Sequence, residues 1–167
     1  DWGRSSLDKT MEANRAAALS AKDEATREAI INATKDSILG AREKGYIDEE
    51  QATNAFQSWR DSYAHGSMSM LSAEERVEAL SKKGVADYLQ PDVRAKLLEQ
   101  AKNESRDLKV RRESQAAEDA IIAKHGANSN ALAAAREIKD PEVRDNTVSR
   151  IKVRQSEAKQ AELETRE

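Results

Sequence analysis

Apolar residues follow helical spacing along almost the whole chain. Between residues 5 and 44, leucine, isoleucine and alanine recur every three or four positions without an interrupting proline, which predicts one long helix. Gly45 is placed to end this helix, and Asp48 is placed to cap the next one. We therefore expect a long αα-hairpin with a short loop over residues 1–71.

The second helix of this hairpin carries an aromatic stripe. Phe56, Trp59 and Tyr63 recur at spacings of three and four, so they share one helical face. The favoured interpretation is that they form the core of the hairpin rather than a ligand site.

The end of this helix has a looser pattern. We expect His65 and Gly66 to loosen the helix, because glycine lowers helix propensity. Met68, Met70 and Leu71 follow as an apolar patch. The methionines are predicted to be exposed and to be candidates for contact with another subunit.

Two short helices alternate with two long ones in the rest of the chain. The pair Ser72 and Glu75 forms a capping box before a short helix, and the pattern predicts a long helix over 91–125. Asn128 is placed to cap the next short helix, and Pro141 lies at the start of the last one.

Packing of these helices should depend on a few apolar residues. Leu97, Leu98 and Ile138 are the predicted packing or interface residues of this half. The middle of the long helix, residues 102–118, is so polar that we expect a solvated strut between two packed ends.

Both long helices begin with the same pattern, proline, an acid, valine and arginine. The copies are PDVR (91–94) and PEVR (141–144), fifty residues apart. They predict two repeat-like units, 72–126 and 127–167. Two interpretations stay open: a structural repeat, or the ordinary chemistry of helix starts.

The composition favours an all-α, elongated fold with a thin core. Charged residues make up 35% of the 167 residues, against about 25% in typical globular chains. Only six residues are aromatic, so we expect long αα-hairpins or support from partner chains. Because the chain begins with Asp1 rather than Met, we expect a fragment or processed piece. The last helix becomes charged and alanine-rich towards Glu167, and we expect it to continue in a parent protein.

The charge balance argues against a direct nucleic-acid site. There are 28 Lys and Arg against 31 Asp and Glu, and phosphate binding needs a basic excess. With no cysteine in the chain, disulfides and thiolate metal sites are excluded. We expect no transmembrane segment, since apolar runs are short, and membrane contact stays open.

The residues usually used in catalysis are too scattered to form a motif. His65 and His125 are sixty positions apart, and neither belongs to a paired metal-binding pattern. The carboxylate pairs at 49–50 and 74–75 lie in first helical turns, where they favour the helix dipole. We therefore expect no catalytic residues, no cofactor and no metal, and a protein that is not an enzyme.

Three segments carry a family resemblance. They are GYIDEEQATNAFQSWRDSYAHGSMSMLSAEERVEAL (45–80), VADYLQPDVRAKLLEQA (85–101) and AAAREIKDPEVRDNTVSRIKVR (133–154). These segments resemble helical regions of tailed-bacteriophage virion proteins, the internal or DNA-ejection proteins, some of which carry a lytic transglycosylase domain elsewhere. The resemblance lies in helix caps, aromatic anchors and proline-arginine breaks, without the transglycosylase active site.

This resemblance implies a structural protein of the virion that packs with copies of itself or with other virion proteins. It would lie in the capsid or tail, and be released into the host envelope or cytoplasm on infection. The first alternative is a helical-repeat adaptor that binds a protein or peptide partner. The second is a non-catalytic fragment of a peptidoglycan-degrading enzyme.

Overall fold

The computed structural model describes residues 2–166. All regular secondary structure in this range is helical, which confirms the predicted all-α class. The helices, in chain order, are α1 (Trp2–Ser20), α2 (Glu24–Glu43), α3 (Glu49–Ser69), α4 (Ala73–Ser81), a 3-10 turn (Val85–Tyr88), α5 (Pro91–His125), α6 (Ser129–Arg136) and α7 (Pro141–Glu164).

The chain divides into two compact units. Unit 1 reaches Lys102, and unit 2 starts at Asn103. This division lies inside α5, whereas the predicted segments 1–71, 72–126 and 127–167 begin at helix starts. The two compact units therefore reflect which residues pack together, and their boundary does not coincide with the end of a helix.

The helix predicted over residues 5–44 is in fact two helices, so that prediction is wrong. α1 ends at Ser20, and Asp23 caps α2 with an extended backbone. The Asp23 carboxylate accepts a 2.7 Å hydrogen bond from the backbone N–H of Thr26. Such a cap satisfies an otherwise unpaired donor at the helix start, and it outweighs the high helix propensity of Ala21 and Lys22.

The first three helices pack pairwise in unit 1. A part-buried polar contact links α1 to α2: Asn14 Nδ2 donates to the Thr34 hydroxyl oxygen over 3.0 Å. The same hydroxyl donates to the carbonyl of Ile30 over 2.9 Å, so the buried threonine is satisfied in both directions.

α3 continues through His65 and Gly66 to Ser69, so the predicted loosening of this helix is wrong. Gly66 instead permits close packing. A Cβ at this position would lie 3.0 Å from Cδ1 of Leu19 on α1. The missing side chain therefore makes room for the leucine of a neighbouring helix.

α4, the 3-10 turn and the first turns of α5 complete unit 1 around α3. The Ser72–Glu75 capping box predicted for α4 is present. This part of the core consists of Ala64, Met68, Leu80, Ala86, Leu89 and Ala101.

Unit 2 has a core of small and branched residues. α6 packs along α7, with Ala131 and Ala135 buried against Ile151. Ile121 and Ile122 of α5 lie at the edge of this cluster. The two alanines let the short helix approach its neighbour closely.

The prolines of the repeated pattern each begin a helix. Pro91 and Pro141 are the first residues of α5 and α7, where the missing N–H would have had no helical partner. The valines face inward in both copies: Val93 is half-buried, and Val143 is buried.

The arginines of the pattern reach back to carbonyls near the end of the preceding short helix. Arg94 donates to the carbonyls of Leu80 over 3.0 Å and Lys82 over 2.8 Å. Arg144 donates to the carbonyl of Ile138 over 3.5 Å. Since α6 packs along α7 but α4 contacts the 3-10 turn, the copies share this local link and differ in helix packing.

Candidate interaction surfaces

The structure places the predicted aromatic stripe in the core of unit 1. Trp59 is buried, and its indole N–H donates to the carbonyl of Met11 over 2.8 Å. The Trp59 ring stacks on Tyr63 at a centroid distance of 5.6 Å, and Tyr63 lies 6.4 Å from Tyr88. These rings hold α1, α3 and the 3-10 turn together.

Phe56 is half-buried and contributes to a cation–π contact that the sequence did not reveal. The guanidinium carbon of Arg60 lies 5.4 Å from the Phe56 ring centroid and 4.4 Å from that of Tyr88. Such contacts are worth about 0.5–1 kcal/mol at exposed sites. The only local signal was the four-residue spacing of Phe56 and Arg60.

The predicted aliphatic packing residues lie at the margin of the cores. Leu71, Leu97 and Leu98 are half-buried against the cluster around Leu80. Ile138 is half-buried just after α6. The three leucines support the packing inside unit 1 while keeping some exposed surface.

The two methionines predicted as exposed differ in the structure. Met68 is 5% exposed and belongs to the core, so the expectation of an open patch is wrong for this residue. Met70 is 66% exposed, because it follows the last turn of α3.

An open groove in unit 1 brings Met70 together with other apolar side chains. We call it the methionine groove; its volume is about 760 Å³. The end of α1, the start of α2, the end of α3 and the turn after α4 form its walls. Its apolar lining includes Leu19, Ile31, Met68, Met70, Leu71 and Val85.

Unit 2 contains a buried carboxylate in the part of α5 that was predicted to be a solvated strut. Ser114 and Glu118 are both buried, so that prediction is wrong for this turn of the helix. Arg154 Nε donates to one oxygen of Glu118 over 2.6 Å, and Arg150 donates to the other. A second cross-link joins Arg106 to Glu142.

A second open groove of about 650 Å³ lies beside α5 and α7 in unit 2. Asp107, Asn146 and Ser149 give it polar walls, and Val110 and Val153 give it an apolar part. Val153 is exposed. Most of the residues that line this groove are polar or charged.

Two aspartates have lowered pKa values, and each has a structural cause. The pKa of Asp23 is lowered mainly by the hydrogen bond from the backbone N–H of Thr26. The pKa of Asp87 is lowered first by the backbone N–H of Gly84 and then by the side chain of Arg94. Both carboxylates fix the ends of helices or turns.

The two histidines occupy separate places. His65 Nε2 lies 3.8 Å from a carboxylate oxygen of Asp61, one turn earlier on α3, and His125 lies in the last turn of α5. Within residues 2–166, no three His, Cys, Asp or Glu side chains are grouped as a metal site would require. None of the helices described combines the length and apolar character needed to cross a membrane.

Comparisons with known proteins gave no match: no family model, no curated protein and no solved structure is similar to this chain.

Proposed function

We propose that this chain is a structural assembly region of a tailed-bacteriophage virion protein, of the internal or DNA-ejection class, that packs with copies of itself during genome delivery. The proposed location is the virion, with release into the host envelope or cytoplasm on infection. The observation that carries the proposal is the continuation of the packed face of α7 beyond the core of unit 2.

This face begins inside the unit and ends in solvent. Val143, Thr147 and Ile151 are buried at spacings of four residues. At about 100° per residue, Ala158 and Ala161 lie on the same face, yet all residues from 156 to 166 are exposed. Small side chains let two helices approach closely, so this exposed continuation favours packing against a further helix.

The class of protein comes from the sequence resemblance over residues 45–101 and 133–154. These segments contain the caps at Asp48 and Ser72 and the helix start at Pro141. The structure supports the proposal by giving each of these residues the helix-start role on which the resemblance rests.

Sedimentation velocity of the purified chain tests self-assembly. We expect oligomers at high concentration and weaker association in the double variant Ala158→Glu/Ala161→Glu, because the charges occupy the packing face. The matched control is Ser156→Glu/Gln160→Glu, which adds the same charge away from that face. A chain that stays monomeric at every concentration would overturn the assembly role.

Mass spectrometry of purified virions tests the proposed location. Peptides of the chain should be present in filled particles of the source phage and depleted in particles that have ejected their DNA. Equal amounts in both kinds of particle would contradict a role in genome delivery, and complete absence from virions would contradict the virion class.

The methionine groove favours a second candidate function, a helical adaptor that binds a peptide. Met70 is exposed at its edge, and methionine adapts to varied apolar ligands. A monomeric chain that selects apolar peptides from a display library would support this function. Met70→Glu should abolish the selection, whereas exposed Lys9→Glu, in α1, should not.

A further inference from the structure

The methionine groove has two walls of opposite charge. The charged residues that line it are Glu24, Arg27, Glu28, Lys82, Lys83 and Asp87. The first three come from the start of α2, where two acids and one base give a net charge of −1, and the last three follow α4 and give +1. α2 and the 3-10 turn both pack against α3, whose last turns line the groove between the two walls.

One charge on each wall is engaged within the chain. Arg27 Nε donates to the backbone carbonyl of Asp23 over 3.3 Å. The Asp87 carboxylate accepts hydrogen bonds from the Gly84 N–H and from Arg94. The glutamates of α2 and the lysines after α4 consequently dominate what the walls present to a second molecule.

These glutamates and lysines are exposed. Glu24 and Glu28 are four residues apart on α2, so they lie on the same face of the helix. Lys82 is 3.5 Å from Glu78, but an exposed pair of this kind is worth little. Lys83 follows directly, so the wall after α4 carries two neighbouring positive charges.

Two walls of this kind are complementary to each other. In a pair of copies related by a twofold axis along the groove, each wall of one copy faces the opposite wall of the other. Glu24 and Glu28 then approach the lysines of the second copy, and the same contact forms again across the axis. A groove with two acidic or two basic walls would repel its own copy in this arrangement.

We propose that the methionine groove is the interface of a symmetric dimer of this chain. The acidic wall of each copy lies on the basic wall of the other, and the apolar linings face each other. Opposite charges on both sides of the axis fix the register of the two copies.

Met70 supplies the apolar contact of this dimer. It is 66% exposed after the last turn of α3, and it lines the groove together with half-buried Leu19, Ile31 and Leu71. Two facing grooves leave space between their linings, and the long, flexible methionine side chain is suited to fill such a space. Each Met70 therefore lies against the apolar lining of the other copy, and both are removed from water.

This contact differs from the packing of α7 in the proposed function. It is isologous, because both copies use the same surface, and it closes at two copies. The exposed face of α7 belongs to unit 2 and is not part of it. The inference therefore goes beyond the proposed function by giving the chain a second contact, through which α7 would join dimers rather than single chains.

The dimer is tested in a variant that lacks the α7 contact. Ala158→Glu/Ala161→Glu places charges on the packing face of α7, so association that remains in this background comes from another surface. In sedimentation velocity we expect this variant to form dimers and nothing larger. Circular dichroism of every variant shows whether it is folded.

Charge reversal in this background identifies the surface. Lys82→Glu/Lys83→Glu and Glu24→Lys/Glu28→Lys should each weaken the dimer at least about tenfold, because walls of like charge then meet on both sides of the axis. An equimolar mixture of the two variants should dimerise again, since each wall meets an opposite wall of the other variant. A contact between the groove and any different surface would not be restored by mixing.

Two controls accompany these variants. Lys9→Glu/Lys35→Glu makes the same change of net charge as the lysine reversal, at exposed sites of α1 and α2, and should leave the dimer unchanged. Met70→Glu should weaken the dimer at least about tenfold, because a charge enters the apolar contact. Val153→Glu, at an exposed apolar position of unit 2, should not.

The outcomes separate this inference from the proposed function. A dimer that ignores both charge reversals, or a mixture that stays monomeric, overturns the groove dimer. If the native chain assembles while Ala158→Glu/Ala161→Glu is monomeric, the inference is wrong and assembly through α7 stands. If both form only dimers, the groove contact stands and assembly through α7 is wrong. A monomeric chain whose groove selects peptides has another occupant, and it overturns both.

Discussion

Arg154 of α7 donates from Nε to the carboxylate of Glu118 on α5 over 2.6 Å. Arg150 binds the other oxygen of the same carboxylate, and Arg154 also donates to Asp119 over 3.1 Å. The Glu118 side chain is only 6% exposed, whereas the two arginines keep about a third or more of their surface in water. The buried Glu118 carboxylate thus depends on Arg150 and Arg154 for its hydrogen bonds.

Removing the carboxylate should destabilise unit 2. For Glu118→Ala we expect the free energy of unfolding to fall by about 1.5–3 kcal/mol, the usual range for a hydrogen bond to a charged group. The loss should lie near the lower end, because the freed arginines regain contact with water. Urea unfolding followed by circular dichroism gives the magnitude, and hydrogen exchange shows whether the loss lies after residue 103.

The matched control for this variant is Glu113→Ala on the same helix. Glu113 makes an exposed pair with Lys109 at 3.9 Å, so its removal should change the free energy by less than about 0.5 kcal/mol. Equal effects of the two substitutions would contradict the structural role of Glu118.

The two arginines of the repeated pattern should differ in importance. Arg94 contacts two carbonyls and Asp87, whereas Arg144 makes one 3.5 Å bond to a carbonyl. We expect Arg94→Ala to cost about 1–3 kcal/mol of unfolding free energy, and Arg144→Ala less than about 1 kcal/mol. Thermal unfolding of both variants under the same conditions measures the difference.

A lysine at position 94 separates charge from geometry. Arg94→Lys keeps the positive charge but has one ammonium group in place of a planar fork, so it should recover only part of the loss. Full recovery by lysine would mean that the carbonyl contacts of Arg94 add nothing beyond its charge.

The parts of the fold that followed from the sequence were those with strong local signals. Asp48 caps α3, and Pro91 begins α5, because a cap or an N-terminal proline acts on the residues beside it. The sequence did not predict the break between α1 and α2, because Asp23 lies in an alanine-rich stretch without glycine or proline. The only local indication of this helix start is one aspartate three residues before Thr26, from whose N–H it accepts a hydrogen bond.

The buried pair in unit 2 could not be read from local pattern. Glu118 lies in a polar stretch of α5, and its partners Arg150 and Arg154 follow 32 and 36 residues later. Periodicity assigns such a residue to the solvent side, so burial enters only when α7 packs against α5. The methionine groove is non-local in the same sense, since Leu19 and Met70 come from different helices.

Acid should weaken the turn that precedes α5. The Gly84 N–H and Arg94 hold the pKa of Asp87 below its ordinary value of 3.8. Because the folded state releases this proton more readily than the unfolded state, the contribution to stability is present above pH 3.8. It is lost as the pH falls through the lowered folded pKa. The melting-temperature difference between the native chain and Asp87→Asn should therefore shrink below that pH.

Nuclear magnetic resonance titration of the Asp87 carboxyl checks the cause. In Arg94→Ala the pKa should rise towards 3.8 but remain below it, because the hydrogen bond from Gly84 is the larger cause and persists. A melting-temperature difference that stays constant from neutral pH to strongly acidic solution would contradict the linkage.

Two helical glycines should respond to alanine in opposite ways. At Gly40 in α2 an added Cβ meets nothing within 4 Å, so Gly40→Ala should raise the free energy of unfolding by about 0.5–1 kcal/mol. At Gly3 in α1 the Cβ would lie 2.6 Å from atoms of the Tyr46 ring, so Gly3→Ala should lower it by about 1–3 kcal/mol. Urea unfolding measures both.

Tyr46→Ala removes the ring with which the new Cβ would clash, so Gly3→Ala should cost little in that background. An equal loss with and without the ring would show that the contact between Gly3 and Tyr46 is not the cause.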